Sequence, residues 1–137
     1  TASRLIQKPL LRGRYSYQKT NVDQQDNTPN SLLNRLRRFI KLRRDLSYFR
    51  TGRYVQFSTR DQATMLYGYH DGSSLLLIAH NFSGQQMRLS ADLTGITAPS
   101  FNILFGAGEK PCVNGHNFTL QLPAHGYCWL ETNGEEP

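Results

Sequence analysis

The chain has 137 residues and a mass of 15.7 kDa, enough for one ordinary domain with a real core, and its 38% apolar and 11% aromatic content excludes a disordered chain. Its net charge of +6 is unevenly spread: residues 1–53 carry 13 basic and 3 acidic side chains, whereas residues 54–137 carry 3 basic and 7 acidic ones. That asymmetry fits either a polyanionic partner or a basic segment made to face other parts of its own protein. The longest apolar run, residues 75–79, is far too short to span a membrane, and no apolar signal segment opens the chain. The first residue is Thr rather than Met, so we read the sequence as an excised piece and expect it to be cytoplasmic.

Residues 1–27 have little periodicity and are rich in Gln, Asn, Arg and Tyr, which predicts a connecting arm. Thr28-Pro29-Asn30-Ser31 then supplies an N-cap, with Pro in the first turn of a helix that runs to about Tyr48. Within it, the stretch RLRRFIKLRRD packs six basic residues between Arg35 and Asp45. On a helical wheel Leu32, Leu33, Leu36, Phe39, Ile40 and Leu46 occupy one sector of about 140°, and Arg37, Arg38, Lys41 and Arg44 lie outside it. The helix is amphipathic, and each Leu or Ile of its stripe contributes roughly 1.5–3 kcal/mol once covered. Arg43 lands in the middle of the stripe, which predicts a half-buried cation with a specific carboxylate or carbonyl partner. The outward basic residues read as a solvated face, with nucleic acid as the functional alternative.

After Gly52 the period changes. Seven short runs rich in β-branched and aromatic residues follow: RYVQFS, ATMLYGYH, SLLLIAHNF, QQMRLSAD, FNILF, NFTLQL and GYCWLE. Asp71-Gly72, between the second and third, is a strong hairpin signal. Seven strands with no helix interleaved predict a mainly β fold, an antiparallel β-sandwich or barrel, over residues 50–137, with the arm and helix making up residues 1–49. Alternation along GYCWLE places Tyr127 and Trp129 on one face and Cys128 and Leu130 on the other, so sugar stacking competes with core packing for these aromatics.

The chemistry-bearing residues are sparse. Cys112 and Cys128 have neither CxxC spacing nor a disulfide-dense context and read as free buried thiols. His70, His80, His116 and His125 lack metal-ligand spacing, so neither a metal nor a cofactor is expected. Asp23, Asp26, Asp45 and Asp71 form no convincing pair and suit capping, turn and surface roles.

Three stretches carry a resemblance. NVDQQDNTPNSLLNRLRRFIKLRRDLSYFRTG resembles the last part of the catalytic barrel in glycoside hydrolase family 13, the α-amylase family, above all its α-glucosidase and trehalose synthase branches. SLLLIAHNFSGQ is similar to that family's strand ending in Asn-Leu/Phe-Ser, and FTLQLPAHGYCWLE to its Leu-Pro-x-x-Gly pattern before a terminal aromatic strand. The order and spacing of the three give the match its specificity. The resemblance implies the end of a (β/α)8 barrel followed by a C-terminal antiparallel β-sandwich, in an enzyme acting on α-glucosides or α-glucans with retention. It also implies that the nucleophilic Asp, the acid/base Glu and a third Asp lie on barrel strands upstream, so the chain by itself is expected to have no catalytic residue and no activity.

On this reading Leu32, Leu36, Phe39, Ile40 and Arg43 form an interface with the catalytic barrel of the same polypeptide, or with a second copy in a homodimer. The arm would lie at the substrate rim, which makes Tyr15, Tyr17, Asn21 and Gln25 candidate substrate contacts, against the simpler role of bracing the loop. The expected role is that of an accessory domain stabilising the barrel, with no nucleic-acid or membrane partner. The alternative is a free-standing binding module for carbohydrate or polyanion.

Overall fold

The structure, a computed structural model, describes residues 11–72, 74–96 and 100–132. The first ten residues of the arm and the last five of the chain lie outside them. The described chain divides into two compact units, with the break after Leu46.

The described part of the first unit holds two helices. A short one, α1 (Val22–Asp26), begins in the stretch read as arm, and α2 (Leu32–Asp45) is the amphipathic helix. Ser31 is its N-cap, with Oγ accepting from the Asn34 N–H at 3.2 Å. Pro29 therefore stands two residues before the cap, outside the first helical turn. The helix also ends earlier than its apolar periodicity indicated: Leu46 is extended (φ −82°, ψ 121°), and Tyr48 lies in a separate turn, α3 (Tyr48–Thr51), which opens the second unit.

The second unit is the β-sandwich. Its described strands are β1 (Arg53–Phe57), β2 (Thr64–His70), β3 (Leu75–Asn81), β4 (Met87–Asp92), β5 (Phe101–Gly106), β6 (Cys112–Asn114), β7 (Asn117–Leu122) and β8 (Tyr127–Thr132). The seven expected runs each form a strand, and the addition is the three-residue β6. Five strands make one sheet in the order β1-β2-β3-β8-β5, and three make the other in the order β4-β7-β6. Every pairing is antiparallel. The β2–β3 hairpin turns where Asp71-Gly72 indicated. Gly72 adopts φ +96°, and the Asp71 carboxylate accepts from the Ser74 N–H at 3.1 Å.

The core lies between the sheets, because alternate side chains of each strand point inward. Leu66, Leu75, Leu77, Ala79, Cys128 and Leu130 of the larger sheet meet Leu89, Ala91, Phe118, Leu120 and Leu122 of the smaller one. Phe101 packs edge-on against Phe118 across the gap, with ring centroids 5.5 Å apart. β7 shows the alternation of a strand covered on one face, whereas Leu75 to Ala79 of β3 are all buried. The two cysteines are both free, but only Cys128 is buried; Cys112, on the short edge strand β6, is exposed.

Candidate functional site

The first unit is held together by polar bonds. Asn21 caps α1, its Oδ1 accepting from the Gln24 N–H at 2.7 Å, while its Nδ2 donates to the Tyr17 carbonyl at 2.9 Å. Gln25 links the two helices: its Oε1 accepts from the Leu33 N–H at 3.1 Å, and its carbonyl accepts from Ser31 Oγ at 2.6 Å and Asn34 Nδ2 at 3.0 Å. Asn34 Nδ2 also donates to the Asp26 and Thr28 carbonyls. On the exposed face Arg37 pairs with Asp26, and Lys41 with Asp45 at 3.0 Å. Exposed pairs of this kind contribute about 0–1 kcal/mol each.

None of the described residues 11–46 is a buried hydrophobic side chain. Leu32, Leu36 and Ile40 are 67%, 48% and 62% exposed along one face of α2, and Leu33, Phe39, Leu42 and Leu46 are half-buried. Tyr15 and Tyr17 are exposed. Arg43 is exposed as well, rather than desolvated among leucines, because the stripe it interrupts is itself open. The five interface candidates thus share a helix on which, among the described residues, Leu32, Leu36, Ile40 and Arg43 are exposed and Phe39 is half-buried. Asn21 and Gln25, by contrast, make local hydrogen bonds within the unit.

The second unit carries a feature that the sequence reading passed over. The outward side of the larger sheet is a second apolar layer. Tyr48 is buried, its hydroxyl donating to the Glu131 carboxylate at 2.9 Å, and its pKa is pushed up to about 12, first by burial and then by that carboxylate. The Phe49 ring sits 5.0 Å from Tyr69 and 5.3 Å from Trp129. Leu76, Ile78 and Trp129 are thereby buried on the side facing away from the other sheet. Trp129 is 3% exposed, so it is a packing residue and offers no surface to a sugar.

Further along the same face Tyr67, His80 and Phe82 form a run of near-parallel rings, with centroids 5.9 and 5.7 Å apart and planes within 11° and 10°. Tyr54 lies beside Tyr67 and Tyr69, and Tyr127 beside Phe105. Tyr54, Phe82 and Tyr127 are exposed, and burial holds the half-buried His80 imidazole below the usual histidine range. The signal was present as alternation in RYVQF, TMLYGYH and AHNF. The unbroken apolar run of β3 hid which of its residues belonged to which side.

Three carboxylates of this unit serve local structure. Asp61 accepts from the Ala63 N–H, Asp92 from the Thr94 N–H and hydroxyl, and Glu131 from Tyr48. A cleft of about 580 Å³ between Arg60, Asp92 and His116 contains Asp92 as its one carboxylate. Among the described residues no group of three or more His, Cys, Asp or Glu side chains is placed to hold a metal ion. Nor is any described helix long and apolar enough to cross a membrane.

No protein-family model matches the chain. The trehalose synthase/amylase TreS of Mycobacterium tuberculosis (strain H37Rv) is 28% identical over 137 residues, which cover 97% of this chain and 23% of that protein. The trehalose synthase of Pimelobacter sp. (strain R48) is 29% identical over 129 residues, covering 91% of this chain and 22% of that protein. Among solved structures, the debranching enzyme of Nostoc punctiforme superposes with a TM-score of 0.61 at 28% identity, over 70% of this chain and 20% of that one. The chain therefore spans less than a quarter of the relatives it matches. These findings bear out the resemblance to the C-terminal region of α-amylase-family enzymes of the trehalose synthase type.

Proposed function

We propose that this chain is the closing part of a longer enzyme active on α-glucosides or α-glucans. In it, residues 11–46 complete the catalytic barrel, and the β-sandwich is an accessory domain that stabilises that barrel without chemistry of its own. The observation that carries the reading is the absence of any buried hydrophobic side chain among residues 11–46, set against the open face of Leu32, Leu36 and Ile40. A well-capped helix with an uncovered apolar stripe gains little by itself, because helices of this length draw most of their stability from tertiary packing. Covering that stripe with a barrel would contribute roughly 1.5–3 kcal/mol per large aliphatic side chain. The similarity to relatives more than four times as long supports a body of that kind elsewhere in the polypeptide.

In the same reading Tyr15 and Tyr17 are the arm residues available to a substrate rim, while Asn21 and Gln25 hold the arm's shape. Arg43, exposed on α2, belongs to the same proposed interface with the barrel. The whole enzyme would be cytoplasmic and would use a retaining mechanism through carboxylates outside this chain.

The test is to delete the sandwich, residues 47–137, from the longer polypeptide. The yield of folded enzyme and its thermal midpoint should fall sharply while turnover per folded molecule changes little. A truncated enzyme that stays stable and loses activity only on long or insoluble glucans would make the sandwich a carbohydrate-binding module instead.

A further inference from the structure

The β6–β7 hairpin closes on a tight turn, Gly115-His116, with Asn114 paired to Asn117 across it. Gly115 adopts φ +58°, a left-handed conformation that short hairpin turns call for and that glycine takes at no steric cost. The same glycine removes the obstacle to a reaction of its neighbour. The backbone nitrogen that follows an asparagine can attack the side-chain carbonyl carbon, and the side chain of the following residue is what screens it. At Gly115 that space is open: nothing lies within 4 Å of the point a Cβ would occupy, and both Asn114 and Gly115 are exposed. Among the described residues no other Asn precedes a Gly.

From this we propose that Asn114 is a site of spontaneous deamidation and backbone isomerisation. In the first step the Gly115 nitrogen gives up its proton and bonds to Asn114 Cγ, the Cγ–Nδ2 bond breaks, and the amide group leaves with that proton as ammonia. A cyclic imide remains. In the second step water adds to one imide carbonyl: opening at Cγ gives Asp, and opening at the main-chain carbonyl gives isoaspartate, whose backbone runs through Cβ. Nothing is oxidised or reduced, and water is the one co-reactant. The fold sets the pace. The extended backbone of β6 holds the Gly115 nitrogen away from Cγ, so the ring closes when the strand opens locally. β6 resists that least, being three residues long and at the edge of the smaller sheet with β7 as its one neighbour. Asn81 is the opposite case, buried, bonded to carbonyls on both sides and followed by Phe82. The products also change their surroundings. Asp92, Asn117 and Asn114 stand in one row across the smaller sheet, and Asp92 and Asn114 line the same cleft with Arg60 and His116. Deamidation puts a second carboxylate there, and isoaspartate interrupts the pairing of Asn114 with Asn117. The site belongs to the sandwich alone and does not depend on the barrel.

The test is to incubate the 137-residue chain in water enriched in heavy oxygen and to map its peptides with a fragmentation that separates Asp from isoaspartate. Resistance of Cys128 to alkylation identifies the folded molecules. Asn114 should convert at least about ten-fold faster than Asn102 or Asn117, whose following residues, Ile103 and Phe118, carry the Cβ that glycine lacks. The rate should climb with pH, because ring closure needs the Gly115 nitrogen to lose its proton, and heavy oxygen should enter both products. Peptide mapping keeps this site apart from Asn133-Gly134, which lies outside the described residues. Asn114→Gln, which would have to close a larger ring, should keep its amide under the same conditions. Conversion of Asn114 no faster than that of Asn102, or conversion to Asp with no isoaspartate, would overturn the proposal.

Discussion

The side-chain amide of Asn81 donates to the carbonyl of Pro123 at 2.7 Å, joining the end of β3 to the turn between β7 and β8. The same Nδ2 donates to the Gln85 carbonyl at 2.7 Å, and Oδ1 accepts from the Ser83 N–H at 2.9 Å and the Ser83 hydroxyl at 2.8 Å. Asn81 is 2% exposed, so one buried amide satisfies carbonyls leading into both sheets. The Asn-Phe-Ser and Leu-Pro-x-x-Gly stretches, 41 residues apart between Asn81 and Leu122, are thus two halves of one polar joint.

Asn81→Leu should destabilise the chain by roughly 2–4 kcal/mol in urea denaturation, because it strands several buried carbonyls and an N–H. Asn81→Asp should be at least as damaging at neutral pH, since a carboxylate cannot donate to Pro123 or Gln85. A control, Gln86→Ala, alters an exposed side chain beside the loop and should change stability little.

Tyr48 anchors α3 to the sheet through Glu131. Tyr48→Phe keeps the packing and removes the donor, so it should cost about 1 kcal/mol, whereas Tyr48→Ala should cost about 3–5 kcal/mol through the cavity it leaves. Because the folded phenol titrates near 12 instead of its ordinary 10, the unfolded chain loses its proton first. The stability Tyr48 contributes is therefore fully present below pH 10 and declines as pH rises from 10 towards 12. Denaturation midpoints across that range should fall less steeply in the Phe variant.

His80 gives the opposite slope. Its folded pKa lies below the ordinary 6.5 because burial disfavours the cation, so the unfolded state takes up the proton first as pH falls. Its stabilising contribution is present above pH 6.5 and is lost as pH falls through the folded pKa. Urea midpoints measured from pH 7.5 to pH 5 should therefore decline, and His80→Gln should flatten that decline.

Thiol chemistry should separate the two cysteines. Cys112 is exposed, whereas Cys128 is fully buried and its thiol is pushed up to about 11 by burial. Ellman titration at pH 8 should give one rapidly reacting thiol in the native chain and two after denaturation. Two rapid thiols in the native state would mean that the sandwich core is not formed around Cys128.

Purified alone, the chain should release no glucose from maltose, sucrose, trehalose or nitrophenyl glucosides above the buffer rate. Retaining glycosidase chemistry needs two carboxyl groups about 5 Å apart across one sugar. Here Asp26 and Asp45 sit in exposed ion pairs, Asp61, Asp71 and Asp92 in turns, and Glu131 under Tyr48. Turnover abolished by a single Asp or Glu substitution within residues 1–137 would contradict the proposed function.

Local patterns in the sequence determined the elements. Ser31 starts α2 because its hydroxyl reaches a backbone N–H three residues on, Asp71-Gly72 turns a hairpin because glycine accepts a positive φ, and period-two alternation marks β7. These depend on neighbours within a few residues, so they are legible along the chain. The tertiary structure decided what depends on distant partners. β8 lies between β3 and β5, and only that order makes Trp129 a buried neighbour of Phe49 instead of a free aromatic. A helical wheel ranks directions but cannot supply a cover, so the stripe holding Leu36 and Ile40 is open here and Arg43 with it. The second face of β3 was invisible for the same reason: five apolar residues in a row record that both sides are covered, and the folded sheet shows where that cover ends, at Tyr54, Phe82 and Tyr127.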